Sequence, residues 1–538
     1  MNLSYRFVPD QPSRRDIDDP SVVLFRDNYF LFASKAGGYW SSPDLVSWKF
    51  ITSHRLPFEN QGPAAFVIDD WLYFATSDHD TIYRSNDPAS GKWESYSTSM
   101  LLSLISDFTI FVDSNGRVYC YYGCTNNDGV MMRELDAKNR FEPIGTPVVC
   151  RLKSPLKNGK SKNRTNLDKY ETVNIKGSWM NKYNGKYYYQ CAVQNPEFGN
   201  YYDAVYVSDK PSGPFVSAAN NPFSYRPDGF VSGAGNGSTF TDKYGNWWHI
   251  ATMVSSGKNG SKARLGLFPA GFDKDGHLFA RTDFGDFPII LPKLKYSDPE
   301  KLYSGWSLLS FNKTGQASSN LAIGPVSSAF DENINTFWSA QSGRKGEYLK
   351  TDLGLEYTIN AIQLNFAENN TRLLRRDAVK AQQYLVEYST DNKIWKMLID
   401  KTTNTEDLTH PYFELKTPVQ AQYLRVTNYR VPDGTFAISG FRIFGTGTGK
   451  KPKKVGSFRG VRDPKKFEIT KLFWQKQNDV TGYNIRYGIQ SDKLYHSYQV
   501  FSNSPLKISC PDKNKTYWFQ IDAFNENGVT PGKAQQTN

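Results

Sequence analysis

Short runs that alternate between apolar and polar residues recur along the first part of the chain, and tight polar turns separate them in pairs. Alternation with a period of two predicts β-strands with one buried face, and an Asn-Gly or Asp-Asp pair between two such runs predicts a hairpin. Hairpins of this kind follow one another at steps of roughly 55 residues, which predicts a β-propeller of five blades. Their turns lie at residues 26–28, 69–70, 113–116, 184–185 and 242–246.

The alternation continues beyond residue 300, but its spacing changes twice. Residues 305–446 contain longer alternating runs, which predict a second β-domain. Residues 447–455 are rich in Gly and Lys and predict a flexible basic linker. Residues 456–538 alternate again in the manner of sandwich strands. A chain of 538 residues is too long for one core, so the sequence predicts an all-β protein of three domains, with the propeller over residues 1–300.

Composition narrows the class of partner. Aromatic residues make up 15% of the chain, which favours β-rich folds and surfaces that stack on sugars. We interpret the net charge of +12 as an even scatter of Lys and Arg. Because no zinc-finger pattern or basic helix occurs, nucleic acid is not an expected partner. The sequence contains no run of about 18 apolar residues, so a membrane span is not expected. The start lacks a signal-peptide pattern, which leaves a cytoplasmic protein or a processed form open.

Two stretches lie near the starts of predicted blades: residues 18–23 (DDPSVV) and residues 106–113 (SDFTIFVD). They resemble glycoside hydrolase family 43. The first matches the Asp-Pro start of that family's first blade, and the second resembles its Asp-Pro-x-Leu-Phe-x-Asp-Asp element. The resemblance implies a five-bladed propeller that cleaves glycosidic bonds with inversion. It implies that Asp19 is the general base, and that Asp107 tunes the acid's pKa and contacts the sugar.

Residues 175–180 (IKGSWM) resemble the general-acid strand of the same family but depart from it at one residue. The family usually has a Glu before the Gly-x-Trp element, and Lys176 stands there. A lysine holds its proton near neutral pH and cannot cycle as a carboxylic acid with a raised pKa does. Glu171 and Glu197 are alternative proton donors. Otherwise Glu171 is a solvated loop residue, and Glu197 occupies the family's substrate-binding position near the rim.

A second departure lies at residues 233–240 (GAGNGSTF), where relatives carry His in the position of Asn236. The resemblance implies that this residue lines the axial channel, and an asparagine there does not titrate. Arg264, in residues 263–269 (ARLGLFP), matches a family arginine that is expected to face substrate. A salt bridge at the rim is the alternative interpretation for Arg264.

Residues 305–446 resemble the discoidin, or coagulation factor type C, jelly roll, which is widely used as a carbohydrate-binding module. In that resemblance Asp331, Asn333 and Thr336 match a loop that binds a structural calcium ion through carboxylate and main-chain oxygens. Residues 456–538 resemble a fibronectin type III domain. The six histidines show no metal-ligand spacing, so no zinc site is expected.

Two functions follow from these resemblances. The first is an exo-acting, inverting glycosidase without a catalytic cofactor that removes terminal arabinofuranose, xylose or galactose from plant cell-wall polysaccharide. The second is a catalytically inactive protein that binds glycans in the same pocket, where Lys176 favours an anionic ligand. In both cases we expect a monomer that is secreted, periplasmic or at the cell surface.

Overall fold

The computed structural model describes residues 1–6, 15–77, 79–123, 129–151, 175–195, 200–254, 263–296, 298–371, 381–501, 505–510, 512 and 514–537. Within these ranges the chain is almost entirely β, as the alternation predicts. The helical elements described are α1 (Met100–Ser103) and three single 3-10 turns at Pro88–Ser90, Pro299–Leu302 and Val326–Ala329. No helix in the described ranges has the length and apolar character that crossing a bilayer requires.

The N-terminal domain consists of five sheets, each with four antiparallel strands in chain order. The first two blades comprise β1 (Asp18–Phe25), β2 (Asn28–Ser34), β3 (Tyr39–Ser42), β4 (Lys49–Ile51), β5 (Ala64–Ile68), β6 (Trp71–Ala75), β7 (Thr81–Ser85) and β8 (Glu94–Thr98). The third comprises β9 (Thr109–Val112), β10 (Val118–Tyr122), β11 (Val130–Asp136) and β12 (Glu142–Arg151). The last two comprise β13 (Ile175–Tyr183), β14 (Lys186–Asn195), β15 (Asn200–Ser208), β16 (Val216–Ser217), β17 (Ser232–Thr241), β18 (Trp247–Val254), β19 (Ala263–Phe272) and β20 (Leu278–Ala280).

The five innermost strands close into a ring. Strand β1 contacts β5, β5 contacts β9, β9 contacts β13, β13 contacts β17, and β17 returns to β1. Aromatic side chains fill the layer between blades one and two: the rings of Phe32 and Phe74 lie 5.0 Å apart between centroids, and Trp93 donates from Nε1 to the Tyr39 hydroxyl over 3.0 Å. The predicted five-bladed propeller is confirmed, and its axis is the place where the inner strands meet.

The second domain is an eight-stranded β-sandwich whose strands pair around β24, β27 and β28. Its strands are β21 (Ser307–Leu308), β22 (Thr314–Ala317), β23 (Trp338–Ser339), β24 (Tyr348–Phe366), β25 (Gln383–Ser389), β26 (Lys396–Lys401), β27 (Tyr412–Arg430) and β28 (Ala437–Thr446). Trp338 is fully buried in its core and meets Phe436 edge to face at 5.6 Å.

The third domain has two facing sheets, one ordered β29-β30-β33 and one ordered β32-β31-β34-β35 with β36 beside β34. Its strands are β29 (Phe458–Arg462), β30 (Ile469–Trp474), β31 (Gly482–Gly488), β32 (His496–Val500), β33 (Leu506–Ser509), β34 (Tyr517–Asn525), β35 (Gly528–Thr530) and β36 (Gln535–Thr537). Trp474 lies in its core against Tyr483. The fibronectin-like resemblance stays a prediction.

The three domains are in contact. Arg15 of the propeller is 1% exposed and pairs with Glu368 at 2.8 Å and Asp407 at 2.9 Å, both in the second domain. Tyr495 of the third domain stacks on Phe279 of the fifth blade with centroids 4.4 Å apart. Burying charges and rings in these joints fixes both appended domains against the propeller.

Candidate active site

Each blade has at least one residue in the left-handed main-chain region at or near the start of its inner strand. Among them, one from each blade, are Asp19 (φ 53°), Gly62 (φ 59°), Asp107 (φ 52°), Gly177 (φ 65°) and Asn236 (φ 53°). In blades one, four and five this residue coincides with an irregular register in the inner hairpin. For residues other than glycine such conformations cost about 1–3 kcal/mol and concentrate at functional sites. The kinks therefore mark the propeller axis as the candidate site.

Asp19, the predicted general base, is held by partners from blades one and five. Its Oδ2 accepts a hydrogen bond of 2.5 Å from Ser34 Oγ, and its Oδ1 accepts one from Asn236 Nδ2. Its main-chain N–H donates to Thr252 Oγ1 over 3.3 Å. Together these contacts fix the direction of both carboxylate oxygens.

Asp107 lies close to the same point from the third blade. Its main-chain N–H donates to Ser77 Oγ over 2.8 Å, and its carbonyl accepts from Ser178 Oγ over 2.9 Å. Between Asp19 and Asp107 lies Gly62, whose N–H donates to Ser34 Oγ over 2.9 Å. A Cβ at position 62 would lie 3.2 Å from Asp107 Oδ1, so the two aspartates flank a position that has room only for glycine.

The strand that carries Lys176 reaches the same place. Lys176 lies in β13, where it pairs with Ala192, and its side chain is outside the described residues. A side chain on its neighbour Gly177 would collide with the Asn236 amide oxygen. Gly177, the residue after Lys176, therefore packs directly against the Asn236 side chain. Glu171 and Glu197 are outside the described residues.

Asn236 joins three blades. Its side-chain amide donates to Asp19 in blade one, its amide oxygen faces Gly177 in blade four, and its main-chain N–H donates to Asp203 Oδ1 over 2.6 Å. Because the amide oxygen faces a glycine and the nitrogen faces a carboxylate, the amide has one favourable orientation. That Asn236 lines the axial channel, as the resemblance implies, stays a prediction.

Arg264 is not connected to this cluster by the contacts described. Its Nη1 donates to the main-chain oxygens of Arg15 and Ala263, and its guanidinium lies 4.9 Å from the centroid of the Tyr5 ring. Burial lowers the pKa of Arg264, while Tyr5 and Glu368 act in the opposite direction. Arg15, one of these partners, pairs with Glu368 and Asp407 of the second domain, so Arg264 lies next to the joint between the two domains.

The predicted calcium ligands lie together in a loop of the second domain. Asp331 Oδ2 accepts from the Thr336 hydroxyl over 2.6 Å, and Asp331 Oδ1 accepts from the main-chain N–H of Asn333 over 3.0 Å. The Asn333 carbonyl also accepts from the Thr336 hydroxyl over 2.9 Å. Burial raises the pKa of Asp331. The loop therefore concentrates the hard oxygen donors that calcium prefers.

Sequence reasoning missed another cluster of residue types that can bind a metal, and in the structure a lysine ammonium lies at its centre. Asp273, Asp275 and His277 lie in the β19–β20 turn and are, among the described residues, the one set of three or more carboxylates, imidazoles or thiols close enough to share an ion. Lys493 Nζ of the third domain lies 3.0 Å from Asp273, 2.5 Å from Asp275 and 2.9 Å from His277. Its ammonium takes the place that a cation would need.

Sequence reasoning also missed the hydroxyl groups that join neighbouring blades at the axis. Ser34 ends β2, Ser77 follows β6, and Thr252 lies near the end of β18, so all three occupy the same place in their blades. A signal was present, because each follows Ala or Ala-Thr after an apolar run: FAS, FATS and IAT. Their partners belong to other blades, which the sequence does not identify.

Comparisons with known proteins agree with this architecture. The model for glycosyl hydrolases family 43 matches residues 13–277, and the model for the F5/8 type C domain matches residues 314–437. No curated protein matches the chain.

Several solved structures are similar to it. An endo-1,4-beta-xylanase from Bacteroides thetaiotaomicron is 19% identical with a TM-score of 0.40, covering 50% of this chain and 95% of that one. A GH43 protein from Bacillus licheniformis is 12% identical with a TM-score of 0.39, covering 99% and 98%. A chitosan-binding module of a Paenibacillus chitosanase/glucanase is 27% identical with a TM-score of 0.22, covering 26% and 99%.

Because those TM-scores are low, the assignment rests on the two family models. Each falls on a domain that the structure delimits: the five blades span β1 to β20, and the second sandwich spans β21 to β28. The chain therefore contains a glycoside hydrolase domain of family 43 over residues 13–277, followed by an F5/8 type C domain over residues 314–437.

Proposed function

We propose that this protein hydrolyses glycosidic bonds at the propeller axis, with Asp19 as the general base. The observation that carries the proposal is the Asp19 carboxylate, oriented by Ser34 and Asn236 beside Asp107 on a closed ring of inner strands. Glycoside hydrolysis with inversion uses a carboxylate as the general base, and the oriented Asp19 carboxylate supplies that group at the axis.

In the proposed reaction Asp19 accepts a proton from water while that water attacks the anomeric carbon and the bond to the leaving oxygen breaks. Inversion requires roughly 6.5–9.5 Å between the base and the acid, so that the water fits beside the sugar. Asp107 positions the sugar. With Lys176 in the acid position, the leaving oxygen takes its proton from water or from another donor. Losing a carboxylic acid there costs about 10²–10⁴ in rate.

We further propose exo action on plant cell-wall polysaccharide, with release of terminal arabinofuranose, xylose or galactose. A site at the axis of a closed ring is approached along that axis, which supports recognition of a chain end. If the F5/8 type C domain binds carbohydrate, as domains of this fold widely do, it would hold the enzyme on a polysaccharide, which supports the same substrate class. Because such polymers lie outside cells, we propose a secreted, periplasmic or surface protein that acts as a monomer.

The test is hydrolysis of aryl glycosides and of arabinan, xylan and arabinogalactan by the wild type and by Asp19→Asn. We expect Asp19→Asn to lose about 10²–10⁴ in kcat, because a general base contributes that much. Asp69→Asn is the matched control, since Asp69 lies exposed in a hairpin turn of blade two and also has a left-handed φ of 51°. Product stereochemistry by NMR tests inversion. Equal activity of Asp19→Asn and wild type contradicts the proposal.

A second candidate function is glycan binding without hydrolysis. The hydrogen bond from Asn236 Nδ2 to Asp19 Oδ1 favours it, because it engages an oxygen that a general base uses to accept a proton. Lys176 in the acid position acts in the same direction. Calorimetric titration with neutral and uronic-acid-bearing oligosaccharides separates the two. An inert wild type that binds them, together with activity gained in Lys176→Glu, supports the binding protein.

We also propose a structural calcium ion in the F5/8 type C domain, held by Asp331, Asn333 and Thr336. The donors fit this ion, because carboxylate, side-chain amide and main-chain carbonyl oxygens are its preferred protein ligands. The test is thermal unfolding with added calcium or EDTA. We expect calcium to raise the wild-type midpoint, and to leave the Asp331→Ala midpoint unchanged. Equal midpoints of the wild type in calcium and EDTA contradict the site.

A further inference from the structure

The kink at Asn236 is held from behind by a buried carboxylate on another blade. Asp203 lies in β15, and the whole residue is 1% exposed. Its Oδ1 accepts from the main-chain N–H of Asn236 over 2.6 Å, and its Oδ2 accepts from that of Gly237 over 3.0 Å. Each carboxylate oxygen thus takes one of two successive N–H groups in the irregular part of β17.

Asp203 lies against a second layer of buried polar side chains. His249 Nε2 lies 3.2 Å from Asp203 Oδ2, and His249 Nδ1 lies 2.9 Å from Thr239 Oγ1. The Thr239 hydroxyl in turn donates to Gln190 Oε1 over 2.6 Å. His249 and Thr239 are fully buried, and Gln190 is 1% exposed. A carboxylate in such a setting is costly unless it is well bonded, so its bonds to this turn contribute directly to the geometry of the turn.

Asp203 also belongs to the strand row that includes Lys176. In blade four Lys176 pairs with Ala192 on β14, and Ala192 pairs with Asp203 on β15. Adjacent strands lie about 4.8 Å apart, so the main chains of Lys176 and Asp203 are about 10 Å apart. One row of blade four therefore supplies both the residue in the acid position and the carboxylate that holds the blade-five kink.

We propose that Asp203 is a positioning residue for the reaction at Asp19: it keeps Asn236 left-handed, so that the Asn236 amide can orient the Asp19 carboxylate. This inference rests on the proposed function at the propeller axis. Asp203 does not meet substrate in this scheme. Its effect passes through Asn236, whose side chain reaches Asp19.

Asp203→Asn is the direct test, because asparagine keeps the shape but offers one acceptor oxygen to two N–H groups. A shift of about 1 Å in a catalytic group costs on the order of 10²-fold in rate. We therefore expect kcat to fall by about that factor with little change in KM, since the lost interaction orients the base rather than the sugar.

Asp242→Asn is the matched control within the same hairpin. Asp242 is buried at the outer end and accepts from the main-chain N–H groups of Tyr244 and Asn246, each over 2.8 Å, and from Trp248 Nε1 over 2.9 Å. Both variants lower the thermal midpoint. We expect Asp203→Asn alone to lower kcat. Equal loss of kcat in the two variants would reduce Asp203 to a purely structural role and overturn the inference.

Two further measurements keep the inference separate from the proposed function. Asn236→Gly removes the amide that orients Asp19, and glycine adopts a left-handed φ without support. In that background Asp203→Asn should therefore have little additional effect on kcat. A crystal structure of Asp203→Asn needs no activity: we expect Asn236 to leave its conformation and its bond to Asp19. An unchanged Asn236 in that structure overturns the inference, whereas a wild type that cleaves no glycan overturns the proposed function.

Discussion

At the scale of single residues, Gly62 separates the two candidate carboxylates. Its N–H bonds to the Ser34 hydroxyl that also holds Asp19, and a Cβ at its position would lie 2.6 Å from Ser77 Oγ and 3.2 Å from Asp107 Oδ1. Its φ of 59° also lies where other residues are strained. Glycine is therefore required at this position for both conformation and space.

We expect Gly62→Ala to lower activity by displacing Asp107, with a loss on the order of 10²-fold in kcat/KM for a shift near 1 Å. The measurement is kcat/KM on a glycan that the wild type cleaves, with affinity as the readout if the protein only binds.

Gly116→Ala is the control for that prediction. Gly116 has a φ of 80° at the tip of the third blade's hairpin, and a Cβ there would meet nothing within 4 Å. Both variants lose on the order of 1–2 kcal/mol through left-handed strain. If Gly116→Ala lowered activity as much as Gly62→Ala, strain rather than displacement of Asp107 would be the cause.

At the scale of elements, the β19–β20 turn holds the third domain through one buried ammonium. Lys493 is 1% exposed in its side chain and lies within 3.0 Å of Asp273, Asp275 and His277. Burial acts to raise the pKa of Asp273, but the His277 main-chain N–H and the Lys493 ammonium outweigh it and lower this pKa to about 2. The turn and the third domain are thus joined by charge as well as by packing.

We expect Lys493→Met to lower the free energy of unfolding by about 3 kcal/mol, because it leaves buried carboxylate charge without its partner. Lys274→Met is the control: Lys274 pairs with Asp492 across the same two domains at 3.4 Å, but the two side chains are 75% and 56% exposed. An exposed pair contributes about 0–1 kcal/mol. Urea unfolding measures both, and equal losses contradict a special role for Lys493.

The same ion pair predicts a pH dependence in acid. The folded pKa of Asp273, about 2, lies below its ordinary value of 3.8, so between these values the folded protein binds fewer protons at Asp273 than the unfolded chain does. Its contribution to stability is therefore present above pH 3.8 and is lost as the pH falls towards 2. We expect the urea midpoint of the wild type to fall more steeply over this window than that of Lys493→Met. Parallel pH profiles would contradict this.

At the scale of the whole molecule, Asp286 lies where all three domains meet. Its Oδ1 accepts from Arg226 Nη2 over 2.6 Å, and Arg226 Nη2 also donates to Gln499 of the third domain over 2.7 Å. Its carbonyl accepts from Arg442 Nη1 of the second domain over 2.7 Å. Burial acts to raise the pKa of Asp286, and the Arg226 and Arg442 charges outweigh it and lower this pKa.

We expect Asp286→Asn to cost about 3–5 kcal/mol, because Arg226 is 1% exposed in its side chain and would lose its carboxylate. Since the three domains share this joint, we also expect calorimetry to separate transitions that overlap in the wild type. A variant that unfolds at the wild-type temperature in the same single transition would show that the joint contributes little to stability.

Local patterns in the sequence were enough to predict the strands, the hairpin turns and the five-bladed repeat. The alternation of buried and exposed positions is set by neighbouring residues, so it can be seen without knowing what packs on the strand. The burial of Trp338 and Trp474 follows the same rule. The family resemblance added Asp19, Asp107 and Asn236, which the structure brings to one place at the axis.

Only the tertiary structure decided which distant residues became partners. Asn236 and Asp19 are 217 positions apart, and Lys493 and Asp275 are 218 apart. No local pattern encodes such pairs, because they depend on how blades and domains meet. From the sequence we expected Arg264 to face substrate or to form a salt bridge at the rim. Its described bonds are to main-chain oxygens of Arg15 and Ala263, and its contact with substrate stays a prediction. Asp203 and His249 escaped notice for the same reason: buried in strands, they gain their role from the blade that packs against them.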